Sequence, residues 1–192
     1  MDNIKRALDS LKRGGIVVFP TDTAYGIGCS LSDEEAVSRL YTLRRRPINK
    51  AVPVLVGSLE MAKKYFRSDI PRKVSDLMRT HWPGGLTIIY YCKKELVPES
   101  VRAGGETVGL RMPDNKLILK IINELGEPIL GPSANFSGKP TPFSYSELDD
   151  YLKKSADFVL RGKCKTKQAS TVVDVTSSEW KILRQGSVKL NI

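Results

Sequence analysis

The sequence predicts an α/β fold, and three observations carry that prediction. Short apolar runs rich in β-branched residues recur along the chain, among them Ile16-Val17-Val18-Phe19, Val52 to Val56, Leu86 to Tyr91 and Thr171 to Val175. Stretches with apolar residues three and four apart, the period of an amphipathic helix, separate most of these runs. Glycines and prolines punctuate the joints, and no repeat, linker or low-complexity segment breaks the alternation, so residues 1–192 read as one domain.

Taken in order, Ile4, Ala7, Leu8 and Leu11 fall on one helical face, with Gly14 placed to stop the helix. Ile16 to Phe19 is a buried strand ended by Pro20. Thr21 to Gly28 reads as a polar, glycine-containing loop. Gly26 and Gly28 are too little for a dinucleotide fingerprint, because the third glycine and an immediate helix are missing, so Thr21, Asp22 and Thr23 stand as candidate ligand contacts on a permissive backbone. Ser32 and Glu35 form a capping box for a helix that buries Ala36, Val37, Leu40 and Tyr41. It runs out at Leu43 into Arg44-Arg45-Arg46-Pro47-Ile48-Asn49-Lys50. That run is either a solvated basic helix end that complements the helix dipole, or a stiff turn whose guanidinium forks hold a polyphosphate.

Val52 to Val56 is a strand in which Pro53 marks an edge or irregular position. Ser58 caps a short helix through Ala62 and Phe66, and a second helix follows Pro71 with Val74, Leu77 and Met78 on one face. His81, the single histidine, ends that helix beside Trp82, a packing or capping position, and its solitude rules out a histidine-based metal cluster. After the strand Leu86 to Tyr91, a loop through Pro98 and Gly104-Gly105 leads to Thr107-Val108-Gly109-Leu110-Arg111. Alternation puts Arg111 on the face of Thr107 and Gly109, where, if buried, it needs an internal carboxylate or a ligand's carboxylate or phosphate. Ile118, Ile121, Ile122 and Leu125 make a helix stopped by Gly126. Pro128-Ile129-Leu130 is then the strand before the rigid segment Gly131 to Pro142. By itself that segment is a surface turn; at the carboxyl end of a strand it is also where open α/β sheets bind ligands. Ser146 to Lys154 reads as a short helix, Phe158 to Leu160 as a short strand and Gly162 to Gln168 as a mobile basic loop. Ser170 to Val175 and Trp180 to Gly186 are the last strands.

Composition narrows the partners. Hydrophobic residues at 41% and charged residues at 27% are ordinary for a globular chain, whereas a net charge of +10 favours nucleotides, polyphosphates or RNA. Cys29, Cys92 and Cys164 are odd in number and lack metal-ligand spacing, as expected of reduced cysteines in a cytoplasmic protein. Met1-Asp2-Asn3-Ile4 has no signal-peptide character, and no apolar run is long enough to span a membrane. A Walker loop, a paired-carboxylate site and a Cys/His metal pattern are all missing. Gly131-Pro132-Ser133-Ala134-Asn135 is not the nucleophile elbow of a serine hydrolase, and only His81 could serve as its base.

Seven short motifs then line up: Phe19-Pro-Thr-Asp-Thr-Ala-Tyr-Gly26, Arg44-Arg-Arg-Pro47, Pro83-Gly-Gly-Leu-Thr87, Val108-Gly-Leu-Arg111, Pro132-Ser-Ala-Asn-Phe-Ser-Gly138, Ser170-Thr-Val-Val-Asp174 and Leu183-Arg-Gln-Gly186. In this order, and over nearly the whole chain, they resemble the YrdC family of threonylcarbamoyl-AMP synthases. The resemblance implies a twisted, mixed sheet flanked by helices, with a basic concave face. It also implies a nucleotidyltransferase reaction in which L-threonine, bicarbonate and ATP give threonylcarbamoyl-AMP and pyrophosphate. A transferase complex then uses that product to modify tRNA. The family's hallmark is Lys-x-Arg followed by Ser-x-Asn; Ser133 and Asn135 match the second half, whereas Arg44 stands in place of the lysine.

Carried over by position, Arg111 would hold the threonine carboxylate with Ser170, and Thr23 would lie near its side chain or amine. Arg44 and Arg46 are the implied catalytic residues, neutralising triphosphate and pyrophosphate together with Lys50. Ser133, Asn135, Arg184 and Thr107 would complete the ATP site. Mg2+ would arrive with the nucleotide, no metal being held by protein side chains. Arg111→Ala is expected to abolish turnover and leave the fold intact. Longer relatives carry an additional carboxy-terminal domain, which leaves closure of the site here to a local loop such as Lys163 to Ala169 or to a partner. The alternative is a paralogue that binds RNA or nucleotide without synthase activity, and weak binding of tRNA or double-stranded RNA is a further implied contact.

Overall fold

Each element's apolar stripe dictates what it packs against. The computed structural model describes residues 3–190; the reading of the chain's first residues, Met1-Asp2, lies outside them. Helix α1 (Asn3–Lys12) buries Ala7, Leu8 and Leu11, and Gly14 ends it at φ 74°. It lies beside α5 (Lys116–Leu125), which the Asn115 side chain caps and Gly126 closes in the left-handed region. The two helices cover β1 (Val17–Pro20), so that Ala7, Leu11, Val17, Phe19, Ile118 and Ile122 form one compact apolar cluster.

β1 pairs antiparallel with β2 (Tyr25–Gly28) and parallel with β7 (Phe158–Val159), giving a three-stranded sheet in the order β2-β1-β7. The second sheet takes its strands from β3 (Val54–Leu55), β4 (Leu86–Tyr91), β5 (Thr107–Arg111), β6 (Ile129–Leu130), β8 (Thr171–Asp174) and β9 (Lys181–Arg184). Their order is β6-β3-β5-β4-β8-β9. The β3/β5 and β4/β8 pairs are parallel and the rest antiparallel, so the sheet is mixed. Helices α2 (Glu34–Leu43), α3 (Leu59–Tyr65) and α4 (Arg72–His81) flank it, and the larger core gathers Tyr25, Ile27, Leu40, Phe66, Met78, Trp82, Leu86 and Ile88.

The two sheets meet where the free edge of β2 pairs with the segment around β6. Leu130 donates to the carbonyl of Cys29, Ile27 to that of Pro132 and Ala134 to that of Tyr25, at 2.8–3.0 Å. The rigid segment after β6 is thus held along β2 through an isolated bridge at Ser133. Tyr25 to Gly28, expected as loop, is strand because it pairs antiparallel with β1 over four residues. Gly26 and Gly28 hide the pattern because glycine has little strand preference, yet no larger residue fits: a Cβ on Gly28 would sit 1.8 Å from the Leu130 carbonyl oxygen.

Other boundaries differ for local reasons. The N-cap of α2 is Asp33, whose carboxylate accepts from the Ala36 amide at 2.9 Å, while Ser32 turns to the Ser30 hydroxyl. β3 is interior, and Pro53 escapes the ladder by preceding its paired residues. The expected helix at 146–154 splits at Leu148 into a 3₁₀ turn, Tyr145–Glu147, and α6 (Asp150–Ser155) capped by Asp149. The basic stretch at 162–168 is tied down: the amides of Lys165 and Thr166 both donate to the Asp22 carbonyl at 2.8 Å, and the Tyr25 hydroxyl donates to the Gly162 carbonyl. No helix among the described residues is long and apolar enough to cross a membrane.

Candidate active site

A cavity of about 160 Å³ opens where five of these segments converge. The β1–β2 turn contributes Thr21, Thr23 and Ala24; the end of α2 contributes Arg44 and Arg46; β5 contributes Arg111. The segment after β6 supplies Gly131, Pro132 and Ser133, and the entrance and exit of the β8–β9 hairpin supply Ser170 and Arg184. Gly131 admits the close approach that seats this segment, since a Cβ there would lie 2.3 Å from the Leu55 side chain.

Arg111 is buried, 6% exposed. Its Nε donates to the Gly84 carbonyl at 2.9 Å, Nη1 to the Thr23 hydroxyl at 2.7 Å and Nη2 to the Asp22 carboxylate at 2.5 Å. Burial pushes its pKa down and the Asp22 charge opposes that shift. The buried partner that a strand arginine demands is thus an internal carboxylate from 89 residues earlier. Thr21 fixes the turn that carries Asp22 and Thr23, because its hydroxyl donates to the Ala24 carbonyl and accepts from the amides of Thr23 and Ala24.

The other arginines are in a different condition. Arg44 is 3% exposed, and its Nε and Nη1 are buried with no hydrogen-bond partner among the described residues. Burial, then the neighbouring charge of Arg46, lowers its pKa to about 10, so it remains cationic at neutral pH. Arg46 is braced by the carbonyls of Lys50 and Ala51, and its charge has no counter-ion among the described residues. Arg184 is held at the mouth by the Ser170 carbonyl and hydroxyl, both at 2.9 Å, and that hydroxyl also meets Thr87. The cavity lining carries four arginines and no carboxylate. Such an arrangement can bind a polyanion at one end and orient a small carboxylate at the other. Among the described residues no group of three or more His, Cys, Asp or Glu could hold a metal.

Of the residues singled out in the sequence, Thr23, Arg44, Arg46, Arg111, Ser133, Ser170 and Arg184 come together around this cavity. Three do not line it. Lys50 is exposed on the turn beyond Arg46. Asn135 faces its own loop, donating to the carbonyls of Phe136 and Lys139 and accepting from the Ser133 hydroxyl. Thr107 lines an adjoining, more apolar hollow of about 230 Å³ floored by Gly109, Ile89 and Val172, which shares Pro53, Thr87 and Arg184 with the first. Sequence reasoning missed Thr87 and Thr141 as lining residues. Thr87 entered only as a strand residue and as the end of the Pro83–Thr87 motif, with no site role attached, and Thr141 sat among prolines that read as a turn. His81 ends α4 outside the cavity, and the Cys29 thiol, its pKa pushed up to about 12 by burial, is inert.

Comparison with known proteins sharpens this picture. The family model Sua5/yciO/yrdC, described as telomere recombination, matches residues 9–186. The threonylcarbamoyl-AMP synthase of Pyrococcus abyssi is 35% identical over 188 residues, 97% of this chain and 55% of that protein. That of Bacillus subtilis is 35% identical over 186 residues, 96% of this chain and 54% of that protein. The crystal structure of Pyrococcus abyssi Sua5 complexed with L-threonine superposes with a TM-score of 0.87 at 32% identity, covering 95% of this chain and 54% of that one. The chain thus spans about half the length of these relatives.

Proposed function

The chain belongs to the Sua5/YciO/YrdC family, and on that footing we propose that its cavity makes threonylcarbamoyl-AMP and pyrophosphate from L-threonine, bicarbonate and ATP, for the modification of tRNA by a downstream transferase. The observation that carries this reading is the unpartnered guanidinium of Arg44, buried beside Arg46 in a cavity whose other end holds a compensated arginine. A buried cation without a partner is costly, so the site is built to receive an anion there. The names of the two synthases and the threonine-bound Sua5 structure support the same assignment.

In this reading Arg111 and Ser170 hold the threonine carboxylate, with Thr23 beside its side chain or amine. The amine, having lost its proton to solvent, condenses with bicarbonate to a carbamate with release of water, and a carbamate oxygen attacks the α-phosphorus of ATP in an adenylyl transfer that expels pyrophosphate. Arg44 and Arg46 neutralise the charge that builds on the departing oxygens, Ser133 lines the same cavity, and Arg184 closes the mouth. Thr107 and the apolar hollow around Gly109 lie where the nucleoside would extend, while Lys50 and Asn135 act from outside the cavity, Asn135 by bracing the Ser133 loop. Mg2+ enters as part of the nucleotide substrate, coordinated by phosphate oxygens, since the lining offers no carboxylate. The rate enhancement is positioning and charge stabilisation, without a dedicated acid and base.

The deciding experiment incubates the protein with L-threonine, bicarbonate and MgATP and looks for threonylcarbamoyl-AMP by mass spectrometry. The adenylate and stoichiometric pyrophosphate are expected. Their absence, with RNA binding retained, would instead identify a paralogue without synthase activity.

A further inference from the structure

The charges around the cavity are distributed unequally. Arg111 has a buried acid against it: Asp22 accepts from Arg111 Nη2 at 2.5 Å, and both side chains are 7% exposed. Arg44 has no acid against it, and none lines the cavity. The carboxylate next along the chain from Arg111, Asp114, is taken at the surface by Lys165. Asp22 itself is held rigidly. Its carboxylate also accepts from the Asp114 amide at 3.1 Å, and its carbonyl accepts from Lys165 and Thr166. Of the four guanidinium groups lining the cavity, only Arg111 has an acid against it among the described residues; Arg44, Arg46 and Arg184, whose charge also acts on Arg111, have none.

Resting on the reading above, we propose that Asp22 is a specificity-determining positioning residue, which neutralises Arg111 so that the Arg111 end accepts the carboxylate of a net-neutral amino acid and does not compete for phosphate. The argument is one of net charge. Phosphate groups carry one to two negative charges at neutral pH and gain most from an uncompensated cation, whereas a zwitterion gains little net attraction from it. Without Asp22, four arginines would offer phosphate two overlapping berths, and nucleotide or pyrophosphate could settle across the amino-acid end unproductively. A built-in charge that disfavours the wrong occupant is a standard route to selectivity. Asp22 touches no substrate in this scheme; it acts through Arg111.

The test is Asp22→Asn, which keeps the shape and an acceptor oxygen for Arg111 and the Asp114 amide but removes the charge. Threonine binding is titrated at constant ionic strength with inorganic phosphate as competitor, and pyrophosphate competition against ATP is followed as the control for the cationic end. In the unsubstituted protein threonine affinity should be indifferent to phosphate. In Asp22→Asn, phosphate should become competitive with threonine, lowering selectivity for threonine over phosphate about tenfold or more, while pyrophosphate against ATP stays within about twofold. A purely structural role would depress threonine and ATP binding together and create no new phosphate competition. Unchanged selectivity in a folded Asp22→Asn overturns the inference alone. If that variant fails to fold, the unsubstituted protein decides, because phosphate competing with threonine there overturns it too. Failure of the unsubstituted protein to bind threonine at all removes the amino-acid reading and this inference with it.

Discussion

Arg44 enters the core with its fork unengaged, and that condition has a measurable cost. A buried polar group left without a partner loses about 1–3 kcal/mol, more when charged. Replacing Arg44 by the similarly long, apolar Met should therefore raise the melting temperature of the ligand-free protein. A gain of about 1 kcal/mol corresponds to about 2–4 °C for a domain of this size. The same change should cut adenylate formation about a hundredfold or more, the usual effect of losing one transition-state donor. A lower melting temperature for Arg44→Met in calorimetry would contradict the claim that this guanidinium is held at a cost for function. Arg111 behaves oppositely. Truncating it to Ala would strand the Asp22 carboxylate in a buried site, at about 3–5 kcal/mol. The expectation that Arg111→Ala leaves the fold intact thus gives way to one in which folding and binding fail together.

Among the elements, β2 does most to shape the site although it is only Tyr25–Gly28. One edge pairs with β1 and the other with the segment that carries Ser133. Gly28 makes the second pairing possible, since a Cβ there would press 1.8 Å from a backbone oxygen that cannot rotate away. Gly28→Ala should lower stability by about 1–3 kcal/mol, the usual range for overpacking. It should also depress turnover out of proportion, because Ser133 and Gly131 move with the displaced edge. Thermal denaturation and initial rates check both halves, and a Gly28→Ala protein with an unchanged midpoint would show that the edge accommodates the methyl. The α2 terminus illustrates a second point at this scale. Asp33 ends in the capping position and Arg44 at the other cap, so one helix both anchors on the β1 side and delivers the cation to the cavity.

For the molecule as a whole, ATP and L-threonine, two of the three substrates of the proposed reaction, should help each other bind. Filling the cationic end screens Arg44 and Arg46, and filling the Arg111 end buries Arg111 and Ser170 against a ligand, so each occupant completes a wall for the other. ATP and L-threonine added together should raise the melting temperature by more than the sum of their separate effects, since stabilisation follows occupancy of the folded state. Strict additivity in differential scanning fluorimetry would argue against a shared cavity. Much of this architecture was legible beforehand. Apolar periodicity located most of the strands and helices, because burial on one face repeats at short range, and the ordered motifs named the family because each carries several unusual residues. The Ser32 cap, the strand hidden behind Gly26 and Gly28, and the broken helix at 146–154 were misread where glycine or a competing cap removes the local signal. The sequence alone thus determined most of the elements, the family and most of the polar residues that meet at the cavity. Only the tertiary structure decided that Asp22 compensates Arg111 while Arg44 stays unpaired, because that pairing joins residues 89 positions apart, a turn of one sheet and a strand of the other, and no repeating pattern in the chain announces it.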